Sequence, residues 1–94
     1  MPTAFACNCD EVAMLLIRNL TEKGYRVPDD IAVSGFDDSI HSLRSVPSIT
    51  TVHVNLDEMA CLAVKAILRE IGSDKNRNRI LVRGRIIFRD STAK

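Results

Sequence analysis

The apolar positions at the start of the chain change from a continuous run to a helical period. Residues 3–7 are mostly apolar and predict a short buried strand. Asn8 and Glu11 have the spacing of a capping box and Gly24 provides a stop, which together predict a helix ending at about Lys23. The stripe of this helix that faces the core recurs at i, i+3, i+4 and i+7, namely at Ala13, Leu16, Ile17 and Leu20.

The middle of the chain predicts two further strands separated by a polar loop. Pro28 lies in the connector 27–30 and prevents the helix from continuing. Residues 31–36 are apolar at nearly every position, as is typical of parallel strands covered on both faces. Residues 37–48 are expected to form a loop, and residues 50–54 alternate and are β-branched, which predicts a third strand.

A second helix is predicted over residues 56–71. Asn55 and Glu58 repeat the capping-box spacing, and Gly72 ends the pattern. This helix is too apolar to lie half in water, so most of its surface is expected to be covered. Its apolar residues are Met59, Ala60, Cys61, Leu62, Ala63, Val64, Ala66, Ile67, Leu68 and Ile71.

The last elements complete an alternating order of strands and helices. Residues 73–78 form a polar linker, and residues 80–82 and 86–88 predict one or two strands around Gly84. The resulting order is β-α-β-β-α-β. Because helices feed continuously apolar strands, the predicted fold class is α/β with a parallel sheet.

Composition limits the chain to one soluble domain. It has 94 residues, of which 46% are hydrophobic and 27% charged, with a formal net charge of +1. Residues 73–94 carry seven basic and two acidic side chains, a bias that can mark a nucleic-acid partner. Several of these arginines alternate with apolar residues on a predicted strand, which favours a plain water-facing role.

Nothing in the sequence predicts export or a membrane partner. The first residues lack a basic segment followed by a long apolar one, and no apolar run approaches the length of a membrane span. Three cysteines, an odd number, fit a reducing environment. A cytoplasmic location is therefore expected.

The cysteines and histidines offer two weak chemical hypotheses. Cys7 and Cys9 with His41 or His53 suggest a metal site, but the C-x-C spacing lacks the second matched pair usual for structural zinc. Cys7 is more simply a small core residue. Cys9 near a helix N-terminus could act as a nucleophile, although no histidine is tied to it by sequence as a base. We therefore expect no metal, no cofactor and no enzymatic activity.

Asp37 and Asp38 follow a predicted buried strand, where open α/β sheets bind ligands. Several roles are open to the pair: general acid and base, Mg²⁺ binding, phosphoryl acceptance, capping of the loop, or hydrogen bonding to a polyol. Adjacent residues usually point apart, which argues against a ready-made catalytic dyad. No glycine-rich phosphate loop is present, so a nucleotide cofactor is not expected.

Several motifs follow one another along the chain, namely PTA (2–4), DEVA (10–13), GYRVPDDIAVSGFDD (24–38), PSITTV (47–52), the helix with Ala63, and RDST (89–92). Together they resemble one family, the LacI/GalR bacterial transcriptional repressors. The resemblance covers essentially the whole chain, and its central and ITTV blocks distinguish repressors from periplasmic sugar-binding proteins, which share the fold.

The resemblance implies a partial type I periplasmic-binding-protein-like fold and a binding function. Residues 1–49 and 80–94 would belong to the second lobe of an effector-binding domain, and residues 50–79 would form the crossover and a helix packing on the first lobe. The 94 residues match the last third of such a repressor and are not expected to bind an operator alone. The implied ligand is a sugar or similar small polar effector. A fragment of a periplasmic-type sugar-binding protein is the alternative.

The resemblance also implies roles for individual residues. Asp37 matches the effector-binding aspartate after Gly-Phe, and Asp10 matches the second residue of an Asn-Asp effector motif. Cys9 occupies the Asn position of that motif and Asn8 lies one place earlier, so Asn8 substitutes or the effector differs, because a thiol is a poor hydrogen-bond partner.

Self-association is the second implied property. The dimer interface is matched by Val12 and Leu15 on the first helix and by the loop 40–46, which includes Ile40 and Leu43. The isolated 94-residue chain is expected to form dimers or larger assemblies, by this surface or by exchange of its second helix and final strands. DNA would be contacted only through a domain outside the chain.

Overall fold

The structure is a computed structural model that describes residues 2–72 and 81–93. Its elements alternate along the chain as the sequence predicts, with one additional short helix. In chain order they are β1 (Ala4–Ala6), α1 (Asp10–Glu22), β2 (Ala32–Ser34), α2 (Ile40–Arg44), β3 (Thr51–His53), α3 (Leu56–Gly72), β4 (Arg85–Ile87) and a 3-10 turn (Asp90–Thr92).

The strands are arranged so that α1 connects two parallel neighbours. β1 pairs in parallel with β2, with Phe5 opposite Val33. Parallel bridges from Ser34 to Thr50 and from Asp37 to His53 place β3 beside β2. β4 then pairs antiparallel with β3, a detail that the predicted parallel sheet did not include.

The antiparallel register shows where the chain leaves the sheet. His53 lies opposite Arg85, so the chain departs after β3 and returns beside its point of departure. Residues 54–84 form a compact unit of their own, and residues 1–53 with 85–94 form the other. The predicted lobe boundaries at residues 50 and 80 stay a prediction.

The core of the larger unit lies between α1 and the strands. Ala13, Ile17 and Leu20 of α1 are buried against three residues from the strand region, Ile31, Val33 and Ile49. Leu16 and Cys7 pack against this cluster while partly exposed, which confirms the predicted helix stripe and the predicted packing role of Cys7. Gly24 has φ +91, the left-handed conformation that ends a helix, as predicted.

Three local predictions are wrong. β1 is exposed at all three positions because it is an edge strand with β2 on one side, and an apolar run is buried only where something packs on it. Cys9 rather than Asn8 precedes α1, and no side chain caps this end, where the amide of Asp10 donates to the carbonyl of Phe36 just beyond β2. The loop after Asp38 contains α2, which is too short for its period to be recognised.

The second helix confirms its predicted start. The Asn55 Oδ1 atom accepts a hydrogen bond of 3.1 Å from the amide of Glu58. Many apolar side chains of α3 are exposed, including Met59, Val64 and Ile67. The predicted linker 73–78 and the start of the predicted strand at residue 80 lie outside the described residues, and residues 81–84 have no regular structure. No helix in the described part of the chain has the length and apolar character needed to cross a membrane.

Candidate ligand site after the second strand

Two consecutive aspartates adopt a backbone conformation that favours glycine. Asp37 has φ 99° and Asp38 has φ 56°, and both residues lie directly beyond the end of β2. Non-glycine residues in this region cost on the order of 1–3 kcal/mol each and persist only where the surroundings enforce them. The turn after Phe36 is therefore held by specific contacts, and such enforced geometry clusters at functional sites.

Three successive backbone amides of this turn are tied to the rest of the fold. The amide of Asp37 donates to the carbonyl of Val52 at 3.0 Å. The amide of Asp38 donates to Thr51 Oγ1 at 3.2 Å, and that of Ser39 donates to Asp10 Oδ2 at 2.6 Å. We call residues 37–39 the aspartate turn. Its path is fixed by β3 and by the first residue of α1.

Asp10 is the buried anchor of the aspartate turn. It is 1% exposed, and its second carboxylate oxygen accepts a hydrogen bond of 2.6 Å from the hydroxyl of Thr51. Both oxygens are thus occupied by partners within the chain. A ligand would reach this carboxylate only if one of those bonds opened, so the ligand contact predicted for Asp10 stays a prediction.

Gly35 makes room for that anchor. A Cβ atom built on Gly35 would overlap Asp10 Oδ1 and lie 3.1 Å from Asp10 Cα and 3.3 Å from its Cγ. The carboxylate therefore occupies the space that any larger residue at position 35 would need. This close approach explains the glycine at position 35 in terms of space rather than backbone freedom.

Asp38 points into a cluster of polar side chains. Its Oδ1 atom accepts a hydrogen bond of 2.8 Å from Arg89, and its Oδ2 atom lies 3.0 Å from Nδ1 of His53. Arg89 also donates to the Ser42 hydroxyl at 2.9 Å and to the carbonyl of Ile49 at 3.2 Å. The turn, α2, β3 and the segment after β4 all meet at this carboxylate.

These contacts keep Asp38 ionised. Burial by itself raises the pKa of the Asp38 carboxyl group, but hydrogen bonds and charges from Arg89 and His53 outweigh it and hold the pKa below its ordinary value. The side chains of Asp38 and Arg89 are 20% and 16% exposed, so water screens this pair less than it would screen a surface ion pair. Asp38 is therefore a structural anion rather than a proton donor at neutral pH.

Asp37 has the opposite surroundings. Its side chain is exposed, and among the described residues its carboxylate makes no hydrogen bond or ion pair. The two neighbouring aspartates thus divide their roles, since Asp38 holds the turn and Asp37 presents a free acceptor at the carboxyl end of β2. The pair does not form a catalytic dyad, in agreement with the sequence argument.

The predicted partners of Asp37 lie just before α1. Asn8 is exposed, and Cys9 is partly buried with an extended backbone. Burial raises the pKa of the Cys7 thiol, and the neighbouring Cys9 raises it further, so Cys7 is a poor nucleophile. Residues 2–72 and 81–93 contain no group of three acidic, histidine or cysteine side chains arranged to hold a metal.

The predicted dimer residues share one property, which is exposure. Val12 and Leu15 on α1 are each 45% exposed, and Ile40 and Leu43 on α2 are 55% and 66% exposed. We call these four residues the α1–α2 surface. A groove of about 380 Å³ lies between the two helices, lined by Met14, Ile17, Arg18, Thr21, Glu22, Arg44, Ser45 and Val46.

Sequence reasoning missed most of the residues that hold the turn. The sequence pattern predicts that arginines such as Arg89 face water, and it connects neither His53 nor Thr51 to Asp38 or Asp10. The one available signal was the RDST segment, whose resemblance to the repressors pointed to this region without a role. Arg89 and Asp38 lie 51 positions apart, a separation at which no local pattern operates.

Comparison with known proteins identifies the class. The sequence profile described as a periplasmic binding protein-like domain matches residues 1–92. The chain therefore belongs to the periplasmic binding protein-like domain family. Within that family it matches the effector-binding domain of LacI/GalR regulators, which confirms the predicted resemblance and fold class.

Two similar sequences are named as transcriptional repressors. The chain is 42% identical over 72 residues to the repressor PurR of Glaesserella parasuis, covering 76% of this chain and 21% of that protein. It is 36% identical to the arabinose metabolism transcriptional repressor of Geobacillus stearothermophilus, covering 97% of this chain and 26% of that protein. The chain thus spans less than a third of the length of these relatives.

Two solved structures match the fold closely. The lac repressor dimer bound to operator and the anti-inducer ONPF superposes with a TM-score of 0.87 at 28% identity, covering 99% of this chain and 28% of that one. The complex of the transcriptional regulator CelR with cellobiose gives a TM-score of 0.83 at 26% identity, covering 95% and 28% of the two chains.

Proposed function

We propose that this chain is the effector-binding part of a bacterial transcriptional repressor and that its ligand is a sugar or similar small polar molecule. The observation that carries the proposal is the exposed Asp37 carboxylate, held in a strained turn at the carboxyl end of β2. A preorganised acceptor suits hydroxyl donors, because charge-assisted hydrogen bonds are about twice as strong as neutral ones. The arabinose repressor and the CelR–cellobiose complex among the similar proteins support a carbohydrate.

The proposed ligand site has two kinds of residues. Asp37, Asn8 and Cys9 would contact the ligand, because all three retain exposed surface near strand and helix ends. Asp10 would act through the aspartate turn, because its two oxygens hold Ser39 and Thr51. Binding would shift the relative orientation of two lobes and so signal to a DNA-binding domain outside these 94 residues.

Relatives named as repressors favour this proposal over a periplasmic-type sugar-binding protein. They also support the accompanying expectations of a non-enzymatic binding role and a cytoplasmic location.

Loss of the Asp37 carboxylate is expected to weaken sugar binding by about tenfold to a hundredfold, the usual contribution of a hydrogen bond to a charged group. Isothermal titration calorimetry with arabinose, cellobiose and sucrose would compare Asp37→Ala with the unchanged protein. Asp29→Ala is the matched control, because Asp29 is an exposed aspartate in the connector before β2. Unchanged affinity in Asp37→Ala would remove its assigned role.

We further propose that a second copy of the chain covers the α1–α2 surface. Exposed apolar area of this kind marks association sites, and the matching lac repressor structure is a dimer. Effector-induced lobe movements would then be transmitted between two subunits.

A charge on the α1–α2 surface is expected to break this dimer. Leu15→Glu should shift the mass measured by light scattering at micromolar concentration from dimer to monomer, because it buries an unpaired carboxylate in the interface. Leu68→Glu, on the exposed apolar side of α3, is the matched control and should leave the dimer intact. The reverse outcome, dissociation by Leu68→Glu alone, would instead support exchange of α3.

A further inference from the structure

The aspartate turn is held from two directions by groups far apart in the sequence. Its backbone amides are anchored by Asp10, Thr51 and Val52, which fix where the turn lies. Among the described residues, Asp38 is the only side chain of the turn with an ion pair, which it makes with Arg89, and its other oxygen lies 3.0 Å from Nδ1 of His53. These two contacts fix which way the turn faces.

The orientation of Asp37 depends on that second set of contacts. Both aspartates have positive φ, so their strained backbone conformation persists only if a specific contact stabilises it relative to a relaxed turn. Asp37 itself supplies none through its side chain. The Asp38 carboxylate supplies the stabilising interaction, because it lies between Arg89 and His53. The Asp37 side chain is then left on the exposed side of the turn.

We propose that Asp38, held by Arg89 and His53, is a positioning residue that keeps the Asp37 carboxylate turned outward for the ligand. This inference rests on the proposed function, and it adds to the ligand-contacting residues a set that acts without touching the ligand. Arg89, which follows β4, thereby helps to set the geometry of the ligand site through Asp38. The site itself lies where β2 ends and α1 begins.

The charge of Asp38 makes this positioning sensitive to acid. The charged and titratable groups around it are Arg89 and His53 in contact, Asp10 through the turn amides, Asp37 beside it in sequence, and Arg85 opposite His53 in the strand pair. Because the pKa of Asp38 is depressed in the folded protein, its contribution is present above the ordinary aspartate pKa of about 3.9. The contribution is lost as the pH falls through the lower, folded value.

Amide hydrogen exchange of the purified full chain tests the inference without any ligand. In Asp38→Asn, exchange of the amides of residues 37–39 is expected to accelerate about tenfold, while the amides of Ala13 and Ile17 in α1 stay within about twofold. Arg89→Gln should do the same. The double variant should accelerate the turn amides less than the two single effects combined, because the Asp38–Arg89 contact is lost in both single variants.

Controls separate positioning from general stability. Asp29→Asn alters a connector aspartate and should leave the turn unchanged. His53→Gln is the milder variant, because the His53 side chain is 44% exposed, and it should accelerate the turn amides less than Asp38→Asn does. If Asp38→Asn does not fold, the comparison of His53→Gln with the unchanged protein decides the question by the same readout.

Two results would overturn the inference. Equal acceleration of turn and α1 amides would mean that Asp38 stabilises the fold as a whole. Unchanged turn amides in Asp38→Asn or, if that variant does not fold, in His53→Gln would mean that the turn keeps its shape without the ion pair.

Failure of the proposed function has a different signature. Faster turn exchange in Asp38→Asn together with sugar affinity that Asp37→Ala leaves unchanged would remove the ligand contact assigned to Asp37 and leave the role of Asp38 in holding the turn. Sugar binding lost in Asp37→Ala but unaffected in Asp38→Asn would remove the positioning role and leave the function.

Discussion

Gly35→Ala is expected to lower the free energy of unfolding by about 3 kcal/mol, at the upper end of typical overpacking costs. The added Cβ would overlap the buried Asp10 carboxylate and lie 3.1 Å from the backbone Cα atom of that residue. Neither group can move freely, because Asp10 is bonded to Ser39 and Thr51 and starts α1. Urea denaturation followed by circular dichroism would measure the change.

Two further variants serve as controls for the loss of unfolding free energy in Gly35→Ala. Gly24→Ala adds a methyl group in open space, although the φ of +91° there imposes backbone strain instead of a clash. The double variant Asp10→Ala/Gly35→Ala removes the overlapping oxygen, so its loss should be smaller than the two single losses added together. Additive losses would show that Gly35 and Asp10 do not compete for the same space.

Asp10→Ala is expected to cost about 2–4 kcal/mol of folding stability, because it leaves the Ser39 amide and the Thr51 hydroxyl without their acceptors. The Thr51 hydroxyl is buried and the Ser39 amide is partly buried, and an unsatisfied buried polar group costs about 1–3 kcal/mol. The loss should also reach function, because the amide of Ser39 is one of the three that hold the aspartate turn. Thermal unfolding and sugar titration of the same sample would report both effects.

Asp10→Asn separates the shape of this anchor from its charge. Its amide oxygen can accept from Ser39, and its NH₂ group can donate to Thr51 Oγ1, which then lacks an acceptor for its own proton. We expect a loss of about 1 kcal/mol, clearly smaller than that of Asp10→Ala. Equal losses in the two variants would contradict the acceptor role and indicate that the negative charge itself stabilises the fold.

The local elements of this protein could be predicted because they depend on neighbouring residues. The stripe of Ala13, Ile17 and Leu20 has the helical period and is buried as expected. Gly24 ends α1 and Asn55 caps α3, both through contacts within a few positions. The motif 24–38 also led to the correct family, because the order of its residues is specific.

The sequence by itself determined where α1 and α3 lie, where β2 and β3 lie, and that two aspartates follow β2. Only the tertiary structure decided what those aspartates do. Asp10, Thr51 and Arg89 meet the turn from positions 13 to 51 residues away, and one glycine leaves the space that Asp10 fills. Local patterns report backbone preference and burial, whereas the orientation of Asp37 depends on hydrogen bonds that exist only after the strands are side by side.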